Sequence, residues 1–406
     1  MSETQDSGPL DYPVVSPTAL EPPGEWAELR KKCPVADVTF PSGDPAVLLT
    51  RYDDVRTALA DPRLTREGLA RPDAARITAG DAEGIFSSPM ARTLNDEGHE
   101  RWRRMVGKWF TAKRMAALKP RMEEMTDRLV DTMIEHGGPA DVVSHLALPL
   151  PVYVICTMLG VPESDRDRFK AWSDTFLNMT KYTREETEAA HRDFAGYMSA
   201  LIAGKREAPG DDLLSRLMDA EDTEGEPMSE AGLVATGQAL LLAGHETTAG
   251  FIAMMTAHLL SVRSRWERLV EDPTLIRSAV EELLRFDPNG SGFGMLRYAH
   301  EDVELSGGTV PRGTTVVCSM AAANRDERAW EQADLMDVGR TPNPHLTFGA
   351  GPHSCLGQPL ARTELQAVLG VLLRRLPQLR LAVDADALQR HEGMLTNPLR
   401  EVPVTW

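Results

Sequence analysis

The glycine-rich run Phe348-Gly-Ala-Gly-Pro-His353-Ser-Cys355-Leu-Gly357 delivers one cysteine to the start of a helix. Pro359 suits the first turn of that helix, and Leu360–Leu373 is strongly helical in pattern. A thiol at a helix N-terminus feels the positive end of the dipole and can accept backbone N–H bonds. Both favour the thiolate, the form that ligates metal. A second group sits at the middle of the proline-free, largely apolar stretch Gly232 to Val262: Ala243-Gly244-His245-Glu246-Thr247-Thr248. A carboxylate inside a buried helix costs desolvation, which a role in proton transfer would explain. Taken singly, the bland readings are a packing cysteine and a polar helix cap.

The elements that must hold these groups are mostly helical. The first 45 or so residues are proline-rich with extended signals, then Ala46–Tyr52 reads as a strand and Asp53–Ala60 as a helix. Arg71 to Met90 is long for a connection in a compact domain. Helical periodicity covers Gly98–Leu118, Met122–Glu135, Val152–Leu159, Asp165–Met179, Arg184–Lys205 and Asp211–Asp219. The acidic linker Glu221–Pro227 precedes a long helix starting near Ser229. Another helix, Leu275–Phe286, is stopped by Asp287-Pro-Asn-Gly-Ser-Gly. Asp302–Leu305 and Thr314–Ser319, around a Ser-Gly-Gly turn, read as hairpin strands. The pattern predicts one mainly α domain over residues 1–406, with small β-sheets near both ends and no internal repeat.

Composition narrows the function classes. The 406 residues carry 44 Lys and Arg against 61 Asp and Glu, a net charge of −17, which excludes a chain-wide electrostatic nucleic-acid binder. Four cysteines without a CxxC pair build neither a disulfide framework nor a cysteine-rich zinc site, and fit a reducing compartment. The polar, acidic N-terminus lacks the features of a secretory signal, and Glu246 argues against a membrane span. A cytoplasmic monomer is expected. Within this acidic chain, Arg101 to Arg121 is purely basic: Arg101, Arg103, Arg104, Lys108, Lys113, Arg114, Lys119 and Arg121.

The pattern Phe-Gly-x-Gly-x-His-x-Cys-x-Gly resembles the haem-ligand loop of the cytochrome P450 family, the haem-thiolate monooxygenases. Separate features extend the resemblance along essentially the whole chain, in the family's order. It implies haem b (iron protoporphyrin IX), with Cys355 as the iron ligand and Phe348 and Gly357 among the cofactor-binding residues of its loop. Glu282 and Arg285 resemble the family's Glu-x-x-Arg helix, and Arg340 its second arginine, a structural triad bracing the cysteine loop. His99, Arg103, Arg297 and His353 resemble the contacts to the haem propionates. On the long helix, Gly244 is implied to leave room for dioxygen, while Glu246 and Thr247 relay protons to it.

The same resemblance lines a substrate pocket with Ile85, Phe86, Met90, Phe176, Met179, Leu240, Ala243, Ser291, Phe293, Met295, Leu395 and Thr396. These are mostly apolar, which is similar to actinobacterial members that tailor polyketides and peptides. The basic helix would lie on the cysteine side of the haem. An acidic ferredoxin, fed by an NAD(P)H reductase, is then the partner expected near Arg101, Arg104 and Lys108, with O2 and a small molecule as co-substrates. Hydroxylation or epoxidation of a macrolide-like molecule is the function implied. Radical coupling or ring formation on an aromatic cyclic dipeptide is the alternative within the family. A cysteine hydrolase lacks a signalled partner for its histidine, and a haem sensor would not need Glu246 and Thr247.

Overall fold

The computed structural model describes residues 8–78, 98–178, 181–287, 293–394 and 396–406. Of the expected pocket positions, Ile85, Phe86, Met90, Met179, Ser291 and Leu395 lie outside the described residues.

The helices are α1 (Glu25–Lys32), α2 (Tyr52–Ala60), α3 (His99–Gly107), α4 (Ala112–His136), α5 (Pro149–Leu159), α6 (Arg166–Leu177), α7 (Arg184–Glu207), α8 (Leu213–Met218), α9 (Glu230–Ser261), α10 (Arg263–Glu271), α11 (Ile276–Phe286), α12 (Met320–Ala323) and α13 (Gln358–Arg375). The sequence pattern ran α3 into the next helix. Instead the chain breaks after Lys108, and Thr111 caps α4 by accepting from the Arg114 N–H. Alpha4 then continues through Pro120 to His136, joining what periodicity alone had divided.

Helix α9 is the axis of the molecule. Ser229 Oγ accepts from the Gly232 N–H at 3.1 Å and starts it, and its leucines, alanines and methionines are then buried on nearly every side. It packs against α5, α7 and α13. Apolar as it is, no helix among the described residues is long and apolar enough to cross a membrane. The cysteine-bearing side is held by α13 lying on α4, with Arg374 and Arg375 pairing to Asp127 and Asp131.

The main sheet has six strands in the order β1 (Leu10–Asp11), β2 (Val35–Thr39), β3 (Pro45–Leu49), β9 (Thr315–Cys318), β6 (Met295–Ala299) and β4 (Leu64–Thr65). Strand β9 pairs parallel to β3 and antiparallel to β6. The expected hairpin is therefore corrected: β7 (Val303–Leu305) pairs with β8 (Gly308–Val310), and Thr315–Cys318 leaves it for the large sheet, where all four residues are buried. A three-stranded sheet, β10 (Arg380–Leu381), β11 (Pro403–Thr405) and β5 (Ala140–Asp141), closes the other end.

Candidate active site

The cysteine loop is a closed turn. The Cys355 N–H donates to the Phe348 carbonyl at 2.7 Å, and the Gly349 N–H to that of Leu346 at 2.7 Å. Gly351 has φ +71°, and a side-chain carbon there would lie 2.7 Å from Ala60 Cα, so only glycine lets the loop rest on α2. At Gly357 an added carbon would meet only the Cys355 sulfur, at 4.0 Å. What that position supplies is its N–H: Gly357 and Gln358 both donate toward the sulfur. Burial pushes the Cys355 thiol up, and these donors with the guanidinium groups of Arg103 and Arg362 oppose it. Cys355 nonetheless keeps accessible surface, as a side chain on the wall of a cavity does.

The structure brings Glu282, Arg285 and Arg340 together. Arg285, fully buried, donates Nε and Nη2 to the two oxygens of Glu282, each at 2.8 Å, and Arg340 Nε reaches Glu282 Oε1 at 3.1 Å. Asn343 and the Asp337 N–H complete the carboxylate's shell, which sequence reading did not foresee. A parallel network was also missed. Arg362 forks onto Glu281 at 2.8 and 3.0 Å, His345 reaches the same carboxylate at 3.2 Å, and the Arg362 guanidinium lies 4.5 Å from the Phe348 ring centre. Burial works to raise Glu281, yet the His345 and Arg362 bonds outweigh it and hold the carboxyl at about 2. Glu281 and Glu282 thus tie α11 to both ends of the cysteine segment.

A basic cluster faces the same region. The rings of His99 and His353 lie against each other at a tilt of 35°, with centres 4.1 Å apart, and His99 is depressed by burial and by Arg103 and Arg66. Burial, His99, Arg66, Arg297 and Arg103 drive His353 to about 3, and its Nδ1 is buried with no partner among the described residues. Arg103 turns to the loop instead, donating to the Ser354 carbonyl at 2.7 Å and to Ser354 Oγ at 3.0 Å. Arg66 was not foreseen. Trp102 bonds Thr236 Oγ1 at 2.8 Å and so docks α3 on α9.

On α9, Ala243 and Thr247 are exposed and Glu246 half-buried in the middle of an otherwise enclosed helix, which marks them as cavity-facing. Thr247 Oγ1 donates to the Ala243 carbonyl at 2.8 Å. Burial raises Glu246, and the neighbouring Asp174 raises it further. His245 bonds the Leu241 carbonyl and Ser173 Oγ, the latter at 2.8 Å, which pins α6 over α9. Gly244 is a correction: a side-chain carbon there would stand 3.0 Å from Ile155, so this glycine serves the α9–α5 contact, and Ala243 is the small residue on the cavity side.

The pocket expectations divide. Phe176, half-buried, stacks on His191 at 4.1 Å; Leu240 is buried, Thr396 half-buried and Met295 exposed. Phe293 does not line the pocket. Its ring sits 4.9 Å from Tyr12 and 5.2 Å from Phe40, in the core beneath the large sheet. Gly294, with φ +88°, turns the chain between Phe293 and Met295, so the two residues that the resemblance placed together in the pocket part, one into the core and one to the surface.

Residues 26–399 match the cytochrome P450 family. The chain belongs to that family. This cytochrome P450 is 43% identical to the mycinamicin IV hydroxylase/epoxidase of Micromonospora griseorubida, over 98% of this chain and 99% of the relative. It is 42% identical to the nocardicin C N-oxygenase of Nocardia uniformis subsp. tsuyamanensis, over 97% and 98%. Among solved structures, the putative thioether synthase SgvP superposes with a TM-score of 0.90 at 38% identity, covering 98% of this chain and 100% of the other.

A cytochrome P450 is a haem-thiolate monooxygenase that takes a small-molecule substrate, O2 and electrons from a redox partner. The residues fit haem b. A thiol ringed by donors offers the iron ligand, while arginines and an orphaned imidazole nitrogen suit an anionic edge. Cys355 would hold the iron, and Arg297, His353 and His99 would face the carboxylates. When bound, the haem activates O2 for insertion of one oxygen atom. With haem bound, the chain's share would be to hold the Cys355 loop rigid, with the N–H donors and guanidinium groups around the sulfur working against the upward push of burial, and to present Glu246 and Thr247 to the cavity.

Proposed function

We propose that this cytochrome P450 hydroxylates or epoxidises a bulky, largely apolar secondary metabolite of the macrolide or wider polyketide class. The observation that carries this reading is the near full-length similarity to a mycinamicin hydroxylase/epoxidase. The apolar character of Phe176, Leu240, Ala243 and Met295 supports it. Relatives of almost equal similarity bear names of other reactions, so the class is inferred rather than one molecule. Radical coupling or ring formation on an aromatic peptide such as a cyclic dipeptide is the second reading; the fit to a protein named a putative thioether synthase favours its bond-forming chemistry.

In the cavity, Thr247 spends its proton on the Ala243 carbonyl, which leaves the hydroxyl oxygen to accept from a polar group opposite. Glu246, raised by burial and Asp174, keeps its proton to a higher pH than an ordinary glutamate and can give it up inside the cavity. Electrons come from an acidic ferredoxin with its NAD(P)H reductase, docking on the exposed cations of α3 and the start of α4: Arg104, Lys108, Lys113 and Arg114. Arg101 is withdrawn from that set, since it pairs with Asp222 and bonds the carbonyls of Glu226 and Pro227. The protein works as a cytoplasmic monomer.

The experiment is a spin-state titration of the ferric protein with macrolides, other polyketides, linear peptides and aromatic cyclic dipeptides. A low-to-high-spin shift with a macrolide or polyketide, followed by a product one oxygen heavier, is the result expected. Response to cyclic dipeptides alone, with products lacking added oxygen, overturns the reading in favour of coupling.

A further inference from the structure

Strand β4 ends at Thr65, whose partner on β6 is Tyr298, and Leu64 stands opposite Ala299. The same antiparallel register brings the next residue, Arg66, to the level of Arg297. A local constraint holds it there. An added carbon at Gly68 would lie 2.6 Å from Tyr298 Cβ, so only glycine lets the turn Glu67–Ala70 rest flat on that ring. The Gly68 N–H donates to Thr65 Oγ1 at 3.2 Å and closes the turn. Arg66 therefore leaves a fixed sheet edge.

Two guanidinium groups at one level of a sheet repel. Burial, with a smaller push from Arg297, lowers Arg66 to about 10, while Arg66 in turn acts on His99 and His353. The arginine expected from the sequence to share this work, Arg103, has both terminal nitrogens on Ser354. Convergence of fixed positive charge on one edge has a chemical reason if that edge receives a dianion.

We propose that Arg66 binds the carboxylate edge of the haem together with Arg297 across the sheet, while Arg103 braces the cysteine loop. This rests on the haem site described above and adds a residue to it. The test uses purified holoprotein carrying Arg66→Ala, Arg66→Gln or Arg66→Lys, with Arg56→Ala, whose exposed side chain pairs with Asp53, as the control. Two quantities are read: the rate of haem transfer to excess apomyoglobin, and the ferric/ferrous midpoint potential.

Arg66→Ala and Arg66→Gln are expected to lose haem about tenfold faster, the scale of one lost charge-assisted bond, and to shift the potential negative. Arg66→Lys recovers much of both, and Arg56→Ala changes neither. Wild-type rates and potential in the alanine and glutamine variants overturn the proposal. So does a lysine variant as defective as glutamine, because packing rather than charge would then be at work. If the alanine variant does not fold, the comparison of glutamine with lysine decides. Failure of the haem assignment itself would show differently, as a wild-type protein without a thiolate-type carbon monoxide band.

Discussion

Arg362 grips Glu281 through two parallel hydrogen bonds, 2.8 and 3.0 Å long, and so fastens the N-terminal part of the helix behind Cys355 to the helix that carries the Glu282–Arg285 pair. Both partners are partly buried, and the fork fits only a guanidinium. Arg362→Lys is expected to lower the thermal midpoint of the holoprotein by an amount equivalent to about 2 kcal/mol. It should also broaden the ligand band of the ferric spectrum. A variant matching wild type in both would remove this clasp from the account.

How much of this was legible in the sequence depends on the range over which each feature is encoded. The cysteine loop and Glu282–Arg285 are local spacings, and they appear where expected. Arg66 stands in Leu64-Thr65-Arg66-Glu67, which carries no signal of its own; only pairing with a strand some 230 residues later gives it a role. Arg362–Glu281 is likewise a contact between helices. Phe293 came to the pocket through the resemblance alone, and the left-handed Gly294 beside it, which the resemblance does not show, lets its ring turn into the core instead. Gly244 and Ala243 are adjacent small residues, and which of them faces the cavity is set by the rotation of α9 against Ile155.

Glu364 is fully buried in the core beside the cysteine segment, and burial raises its carboxyl well above the ordinary 4.5. Its native form therefore holds a proton that the unfolded chain releases. The stability this proton contributes is complete below the unfolded value and is lost as pH rises toward the native one. Glu364→Gln, neutral throughout, should match wild type near pH 4. Above that it should gain by up to about 1.4 kcal/mol per pH unit until the native value is reached. Urea midpoints at several pH values measure this, and a gap that does not widen with pH would show that Glu364 is charged in the fold.

Thr247→Ala is expected to keep haem and the substrate-induced spin shift while sending reducing equivalents to hydrogen peroxide instead of product. Glu246→Gln should do the same without the wild-type pH dependence, in which coupling declines as pH rises through the elevated Glu246 value. Peroxide and product are measured together per NAD(P)H consumed. Unchanged coupling in either variant would take that residue out of proton delivery.

Charge reversal on the basic face separates docking from chemistry. Arg104→Glu with Lys108→Glu should slow reduction by ferredoxin at least tenfold at low ionic strength, with the difference shrinking in salt. Peroxide-driven turnover should survive. Arg101→Ala, by contrast, should act on thermal stability by freeing the Asp222 loop and leave ferredoxin kinetics near wild type. Equal loss of both turnover modes in the double reversal would contradict docking at this face.

The central claim is that Cys355 is the axial thiolate of a haem enzyme, and it is tested most directly by the carbon monoxide difference spectrum of the reduced protein, recorded for wild type and Cys355→Ser. Wild type is expected to give the thiolate-type band and the serine variant to lose it while Glu246 and Thr247 remain in place. The same band in both proteins would contradict the ligand assignment and the mechanism built on it.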